Sequence, residues 1–232
     1  MTILAIDTSG LAASVSVAQN NKLLGEFFID LKLTHSQTLM PMMDTLLKSV
    51  ELTLTNIDYI AVTSGPGSFT GLRIGASAAQ GLAIALNKDI VPVPTLDALA
   101  YNILNYNALI VPIMDAKRDQ VYSAVYTYEG DKLTKLTDYL AEDIDEIINI
   151  TNRLANGRNV VFTGDGTDIF KERIEKNGFF VAPSHLNRQR AAAVAALAMQ
   201  YALNKKTIAP DGFTPLYIRK PQAERVLEEK NE

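Results

Sequence analysis

"SGPGSFTGLRIG", residues 64–75, places four glycines, a proline and an arginine in twelve positions. The apolar run "IDYIAVT" (57–63) precedes it and the alanine-rich "ASAAQGLAIAL" (76–86) comes after. The order reads as strand, tight turn and buried helix. Such turns often hold phosphate, because the amides of a helix N-terminus point at the anion. This one misses two nucleotide patterns. A P-loop ends in Gly-Lys-Ser/Thr, and no lysine is near. The dinucleotide fingerprint sets glycines at its first, third and sixth positions, whereas Gly65, Gly67 and Gly71 fall at the first, third and seventh. Gly71, Gly75 and Ala79, spaced by four, form a smooth stripe that lets a neighbouring backbone come close. Ala78, Leu82 and Leu86 flank it, and only Arg73, Ser77 and Gln80 are polar on the other side. A helix apolar nearly all round is buried on more than one side. One side is a sheet; the other is more of this chain or a partner.

Working outward, "TILAIDTSG" is a short strand ending at Asp7, and "AASVSVA" alternates as a second strand. Asn20-Asn21 turn the chain into "KLLGEFFI". A helix over about 36–50, the strand "YIAVT" and the helix over about 70–87 complete a unit. The second half repeats it. "ALIVPIM" runs to Asp115, "QVYSAVYTY" alternates, Glu129-Gly130 turn, and "KLTKLTDYL" returns. Next come a helix at about 143–155, the strand "NVVFTG" with the glycine turn "GDGTD", and a helix at about 188–203. In each half a strand ends in Asp, and a hairpin turn comes 13 or 14 residues later. The fold expected is α/β, two βββαβα halves, as in the duplicated actin/Hsp70/sugar-kinase-like fold. The lobes expected are residues 1–100, with 188–220 returning to them, and 101–187. "VPVPTLD" (91–97) is the expected joint and 221–232 a charged tail. In that fold the turn after the first strand of each half contacts phosphate, which selects Asp7, Thr8 and Ser9, and at the counterpart Asp115 to Arg118. Asp7 suits a metal, a phosphate or hydrogen bonds to its own turn equally well.

Composition narrows the classes. A chain of 232 residues, 47% apolar and 21% charged, is ordinary for a globular protein. A net charge of −4 gives no basic excess for independent nucleic-acid binding. There is no cysteine, which removes disulfides, thiolate zinc sites and a cysteine nucleophile. No basic leader precedes "MTILAIDTSG", and no run approaches the ~20 apolar residues of a membrane span. A cytoplasmic chain with no membrane partner is expected.

The helix "HSQTLMPMMDTLLKSVEL" (35–52) has Leu39, Met43, Leu46 and Val50 as its central stripe, flanked by Met42 on one side and Met40 and Leu47 on the other. That arc is wider than one sheet needs, and methionines suit adaptable surfaces. A partner interface is therefore expected at His35, Leu39, Met40, Met43, Leu46, Leu47, Gly71, Leu72, Arg73, Gly75 and Ala79. Catalysts are hard to find. The two histidines, His35 and His185, are far apart, no carboxylate cluster has ligand spacing, and Ser9, Ser64 and Ser68 lack the Gly-x-Ser-x-Gly elbow. No metal and no cofactor are expected.

"ILAIDTS", "THSQTLMPMMDTLL", "SGPGSFTGLRIG", "PTLDALA", "DAKRDQVYSAVY" and "PLYIRKP", in order from residue 3 to about 221, resemble the segments of the TsaB (YeaZ) family. The resemblance implies a paralogue of TsaD, the enzyme that transfers a threonylcarbamoyl group to the adenosine beside the anticodon of tRNAs reading ANN codons. It implies a non-catalytic subunit that pairs with TsaD, is joined by the ATPase TsaE, and meets tRNA only through the complex. A homodimer is expected when TsaD is absent. TsaD carries a His-x-x-x-His metal pair; the comparable places here are Thr95 and Leu99, which are poor ligands. Two rivals remain. A superfamily ATPase or kinase would need an adenosine loop, for which "GDGTD" is short. A glycoprotease-like peptidase would need a nucleophile and base.

Overall fold

The computed structural model describes residues 1–31, 33–104 and 107–219. The expected tail, 221–232, lies outside them. The first half contains β1 (Thr2–Asp7), β2 (Ala13–Gln19), β3 (Lys22–Ile29), α1 (His35–Ser49), β4 (Tyr59–Gly65), α2 (Phe69–Leu86), β5 (Ile90–Pro94) and α3 (Thr95–Tyr101). The second contains β6 (Ala108–Asp115), β7 (Gln120–Ser123), β8 (Tyr126–Glu129), β9 (Lys132–Lys135), β10 (Leu140–Asp143), α4 (Ile144–Ala155), β11 (Asn159–Thr163), α5 (Thr167–Lys176), β12 (Phe180–Val181) and α6 (Ala191–Leu203).

The two sheets share a plan: β3-β2-β1-β4-β5 in one, β10-β7-β6-β11-β12 in the other, with β8 and β9 added beside β6. β1 pairs antiparallel with β2 and parallel with β4; β6 does the same with β7 and β11. This is the duplicated actin/Hsp70/sugar-kinase-like α/β fold. Each central strand is covered on both faces and so reads as an unbroken apolar run. Leu4 and Ile6 join the core under α1 and α2, while Ile3 and Ala5 join the core under α6.

The closing helices are exchanged between the lobes. α6 packs on the first sheet, with Val194 and Ala198 against Ile3 and Ala5. Leu96 and Leu99 of α3 pack on the second sheet, against Ile110, Met114 and Tyr126. "VPVPTLD" is where the chain passes from one lobe to the other: it supplies the fifth strand of the first sheet and opens α3. Where the helices meet, the hydroxyls of Tyr126 and Tyr139 donate to Asp97 Oδ1 at 2.7 and 2.8 Å, and that of Tyr201 to Oδ2 at 3.2 Å. Burial first, then the Asp97 charge, raises all three phenols above their ordinary range.

Three sequence expectations change. "QVYSAVYTY" is interrupted at Ala124-Val125, where Val125 N–H donates to Thr137 Oγ1 at 3.1 Å and its carbonyl accepts from Leu136 at 2.7 Å. The register to β6 survives, since Ser123 faces Ile113 and Tyr126 faces Ile110. "KLTKLTDYL" is not one strand: its start pairs with β8 and its end opens β10, which pairs with β7. α5 is an addition to the expected elements, because Phe170 and Ile174 are its only buried large side chains.

The glycine stripe of α2 faces its own sheet. A Cβ on Gly75 would lie 2.5 Å from Thr8 Oγ1 and 3.5 Å from Val62, and one on Gly71 would overlap the Thr8 carbonyl. Ala79 is fully buried in the core of the first lobe. We predict that Gly75→Leu unfolds the chain or lowers its stability by ~3 kcal/mol, because the added atoms meet the buried Thr8, Val62 and Ile6 side chains. Urea denaturation followed by circular dichroism measures this; an unchanged midpoint would contradict the packing.

Candidate functional site

A cleft of about 480 Å³ lies between the lobes, lined on one side by Ser9, Gly10, Gly67 and Ser68 and on the other by Asp115, Lys117, Asp165 and Asp168. Its two walls are copies of one device. Ser9 N–H donates to Asp7 Oδ1 at 2.9 Å, and Lys117 N–H to Asp115 Oδ1 at 2.8 Å, the same two-residue turn in each lobe. Gly65 and Gly164 both open the turn after the second parallel strand with φ near +110°, at +112° and +108°, a conformation that favours glycine.

In each lobe part of the turn is bonded within the chain. Ser68 N–H donates to the Ser9 carbonyl at 2.7 Å, and Thr8 Oγ1–H donates to the Gly71 carbonyl at 2.8 Å. Ser9 Oγ–H donates to Asp7 Oδ1 at 2.6 Å. In the second lobe Gly164 N–H donates to Asn187 Oδ1 at 2.6 Å and Gly166 N–H to the Ile113 carbonyl at 3.2 Å. The expected phosphate contacts Asp7, Thr8 and Ser9 are thus only partly placed for that role. Ser9 reaches the cleft, Thr8 turns under α2, and Asp7 is buried with Oδ2 unpartnered. No group of three His, Cys, Asp or Glu side chains that could hold a metal ion occurs among the described residues.

Burial pushes the Asp7 carboxyl up to about 6, against the hydrogen bonds from Ser9 and Thr63 that favour its charged form. Asp165 is also raised, chiefly by burial, although the Asp115 amide donates to it. Nothing in the sequence singles out Asp165, whose only signal is its place inside the "GDGTD" turn. The same holds for Arg188, which bridges the lobes: it donates to Asp30 Oδ2 at 2.7 Å and to Asp168 Oδ2 at 2.6 Å.

The expected interface residues divide sharply. Leu39, Met43, Leu46 and Leu47 lie in the core between α1 and the first sheet, and Leu72, Gly71, Gly75 and Ala79 are buried beside them. They are buried within this chain, and of them only Leu39 borders a groove on the outer side; the wide arc of α1 is filled by α2 and β3 as well as by β2. Met40 (49% exposed) and Arg73 remain outside, with Arg73 stacked 3.9 Å over the Phe69 ring. His35 is half-buried at the start of α1, its Nε2 3.1 Å from the Gly10 carbonyl. A groove of about 630 Å³ runs between the outer faces of the two helices, lined by Ser36, Met40, Phe69, Arg73, Ile74 and Ala78 among others. Further along α2, Ile84 is 67% exposed, and a Cβ on Gly81 would meet nothing.

A family profile described as "TsaD: tRNA N6-adenosine threonylcarbamoyltransferase" matches residues 30–226. The "tRNA threonylcarbamoyladenosine biosynthesis protein TsaB" of Bacillus subtilis is 32% identical over 231 residues, 97% of this chain and 96% of the relative. YeaZ from Pseudomonas aeruginosa superposes with a TM-score of 0.78 at 25% identity, covering 94% of this chain and 99% of its own. An activator of 2-hydroxyisocaproyl-CoA dehydratase from Clostridium difficile, solved with bound ADPNP, matches at a TM-score of 0.53 and 12% identity, over 89% of this chain and 97% of its own; it shares the fold.

The buried carboxyl gives a pH test. With its proton held more tightly in the folded chain than in the unfolded one, Asp7 favours folding most below its unfolded value of 3.8. That contribution is lost as pH rises through about 6, and above it the buried charge opposes folding. The difference amounts to roughly 3 kcal/mol. Asp7→Asn, which keeps the shape without the charge, is expected to raise the urea midpoint near pH 8 and to lose that gain near pH 4. Equal midpoints near pH 8 would show that Asp7 is not held this way.

Proposed function

The chain belongs to the TsaB (YeaZ) family, and we propose that it is a non-catalytic scaffold subunit in tRNA threonylcarbamoyladenosine biosynthesis. In this reading it pairs with TsaD, the pair is joined by TsaE, and tRNA is met only through the complex, in the cytoplasm. The observation that carries it is the outer face of α1 and α2. There Met40, Ile74 and Ile84 leave apolar surface in water beside the small residues Ser77, Ala78 and Gly81. Small residues let a partner backbone approach, and apolar anchors in a groove are the usual centre of a protein contact. Without TsaD, a second copy of the chain docks on the same face.

The interlobe cleft supports the non-catalytic half of the reading. The Ser9 amide and hydroxyl, the Ser68 amide and the Gly164 and Gly166 amides are engaged within the chain, so fewer donors are left for a nucleotide. The decisive assay is formation of modified tRNA by purified TsaD, TsaE and an enzyme supplying threonylcarbamoyl-adenylate, with and without this chain. Modification is expected only with it. Equal modification without it would refute the scaffold role.

Met40→Asp puts a charge into the groove at an exposed position, so folding should be spared. It is expected to weaken pairing with TsaD by about 30-fold, the ~2 kcal/mol of an interface anchor. Titration calorimetry reads the affinity and the urea midpoint checks the fold. Undiminished affinity would move the partner surface elsewhere.

A further inference from the structure

The segment after α6 crosses the interlobe cleft. It runs first along the first lobe: Ile208 bridges to Ile90 at the edge of β5, and Gln80 Nε2 donates to the carbonyls of Pro210 and Phe213 at 2.9 and 3.2 Å. Phe213 is buried in the first-lobe core. Leu216 N–H then donates to the Ser64 carbonyl at 2.6 Å, and the Leu216 carbonyl lies where a Cβ on Gly65 would be. Tyr217 sits against the Phe69 ring, centroids 5.1 Å apart. Two residues later the chain reaches the second lobe. Arg219 donates to the Ala116 carbonyl at 3.4 Å and to Gln120 Oε1.

We propose that residues 216–219 are a latch that ties the two lobes across the cleft, anchored on the first lobe and released from the second. The two grips differ in kind. On the first lobe the segment has a backbone hydrogen bond, a ring contact and a buried phenylalanine. On the second it has one guanidinium, partly exposed and held by neutral acceptors. Bonds of that sort exchange readily with water, so the second-lobe grip opens first. Leu216, Tyr217, Ile218 and Arg219 all line the cleft. Release therefore widens the cleft on the latch side and lets the second lobe swing there about the Arg188 tie and the helices α3 and α6, a hinge motion of ordinary type. The Arg188 bridge to Asp30 and Asp168 is a separate tie and stays in place.

The sequence contains no cysteine, so spin labels can be set at two chosen positions. Leu11 and Ile169 lie on opposite walls of the cleft, 62% and 57% exposed. Electron–electron double resonance on the full chain carrying Leu11→Cys and Ile169→Cys is expected to give one narrow distance peak. Adding Arg219→Ala should shift that peak outward and broaden it. In the unlabelled Arg219→Ala chain, hydrogen exchange should quicken at the amides of residues 116–120, while the Leu216 amide and the thermal midpoint hold. Gln120→Ala removes the same grip from the other side and should give the same result. Unchanged distances and exchange in both variants would overturn the latch. Loss of folding in either would also overturn it, by making Arg219 a residue of general stability.

Discussion

The contact between the first turn and the start of α2 governs both the packing of that helix and the character of the cleft. Ser68 N–H donates to the Ser9 carbonyl at 2.7 Å, and the Thr8 hydroxyl donates to the Gly71 carbonyl at 2.8 Å. A side chain at Gly71 would hold the two apart, so the helix would ride higher over the sheet. With the contact made, the rotation of α2 is fixed. Gly75, Ala79 and Ala83 go inward, and Arg73, Ser77, Gly81 and Ile84 are left outside. The same contact engages the Ser68 amide and the Thr8 hydroxyl, two donors that an anion at this turn could otherwise take. One packing event thus decides both which helix face is left outside and which donors of this turn are used within the chain.

The second lobe repeats the plan with different emphasis. Asp115 makes the turn that Asp7 makes, yet it is partly exposed and ion-paired to Lys117, whereas Asp7 is sealed in. Gly164 has the backbone of Gly65, but its amide is taken by Asn187, which stands just before α6. The exchange of α3 and α6 makes each lobe complete only with a helix from the other half. Asp97, held by three tyrosines from β8, α6 and the approach to β10, sits at that crossing. Breaking one lobe from the other would leave two apolar helices without their sheets.

Much of this is legible in the sequence. α1 and α2 are expected at 36–50 and 70–87 and lie at 35–49 and 69–86, because their apolar periodicity is long and their turns are marked by glycine or asparagine. The duplication is legible from the Asp and hairpin spacing. The direction of the glycine stripe is not. Spacing by four says that something comes close, without saying whether it is the sheet beneath or a partner above. Leu39, Met43, Leu46 and Leu47 mislead for a related reason: a helix wedged between a sheet and a second helix has the same wide arc as one that binds a partner. α5 is hidden because charged residues dominate it, and the break in "QVYSAVYTY" because Thr137, twelve residues on, supplies the bond that makes it.

A fold with a cleft between two lobes ordinarily works by closing on a ligand there. In this chain the cleft walls bond to themselves, Arg188 spans the gap with two carboxylates, and the chain's own 216–219 segment occupies the opening. Those ties bear on how the lobes sit against each other, while the outer face of α1 and α2 is held by the first sheet beneath it. For a scaffold that restraint has a use. A rigid face loses less freedom on association than a mobile one, so more of its contact energy appears as affinity. On the proposed reading, the work of the fold has moved from the cleft to the back of the helices beside it, a surface fixed by the first sheet whether the lobes are tied or not.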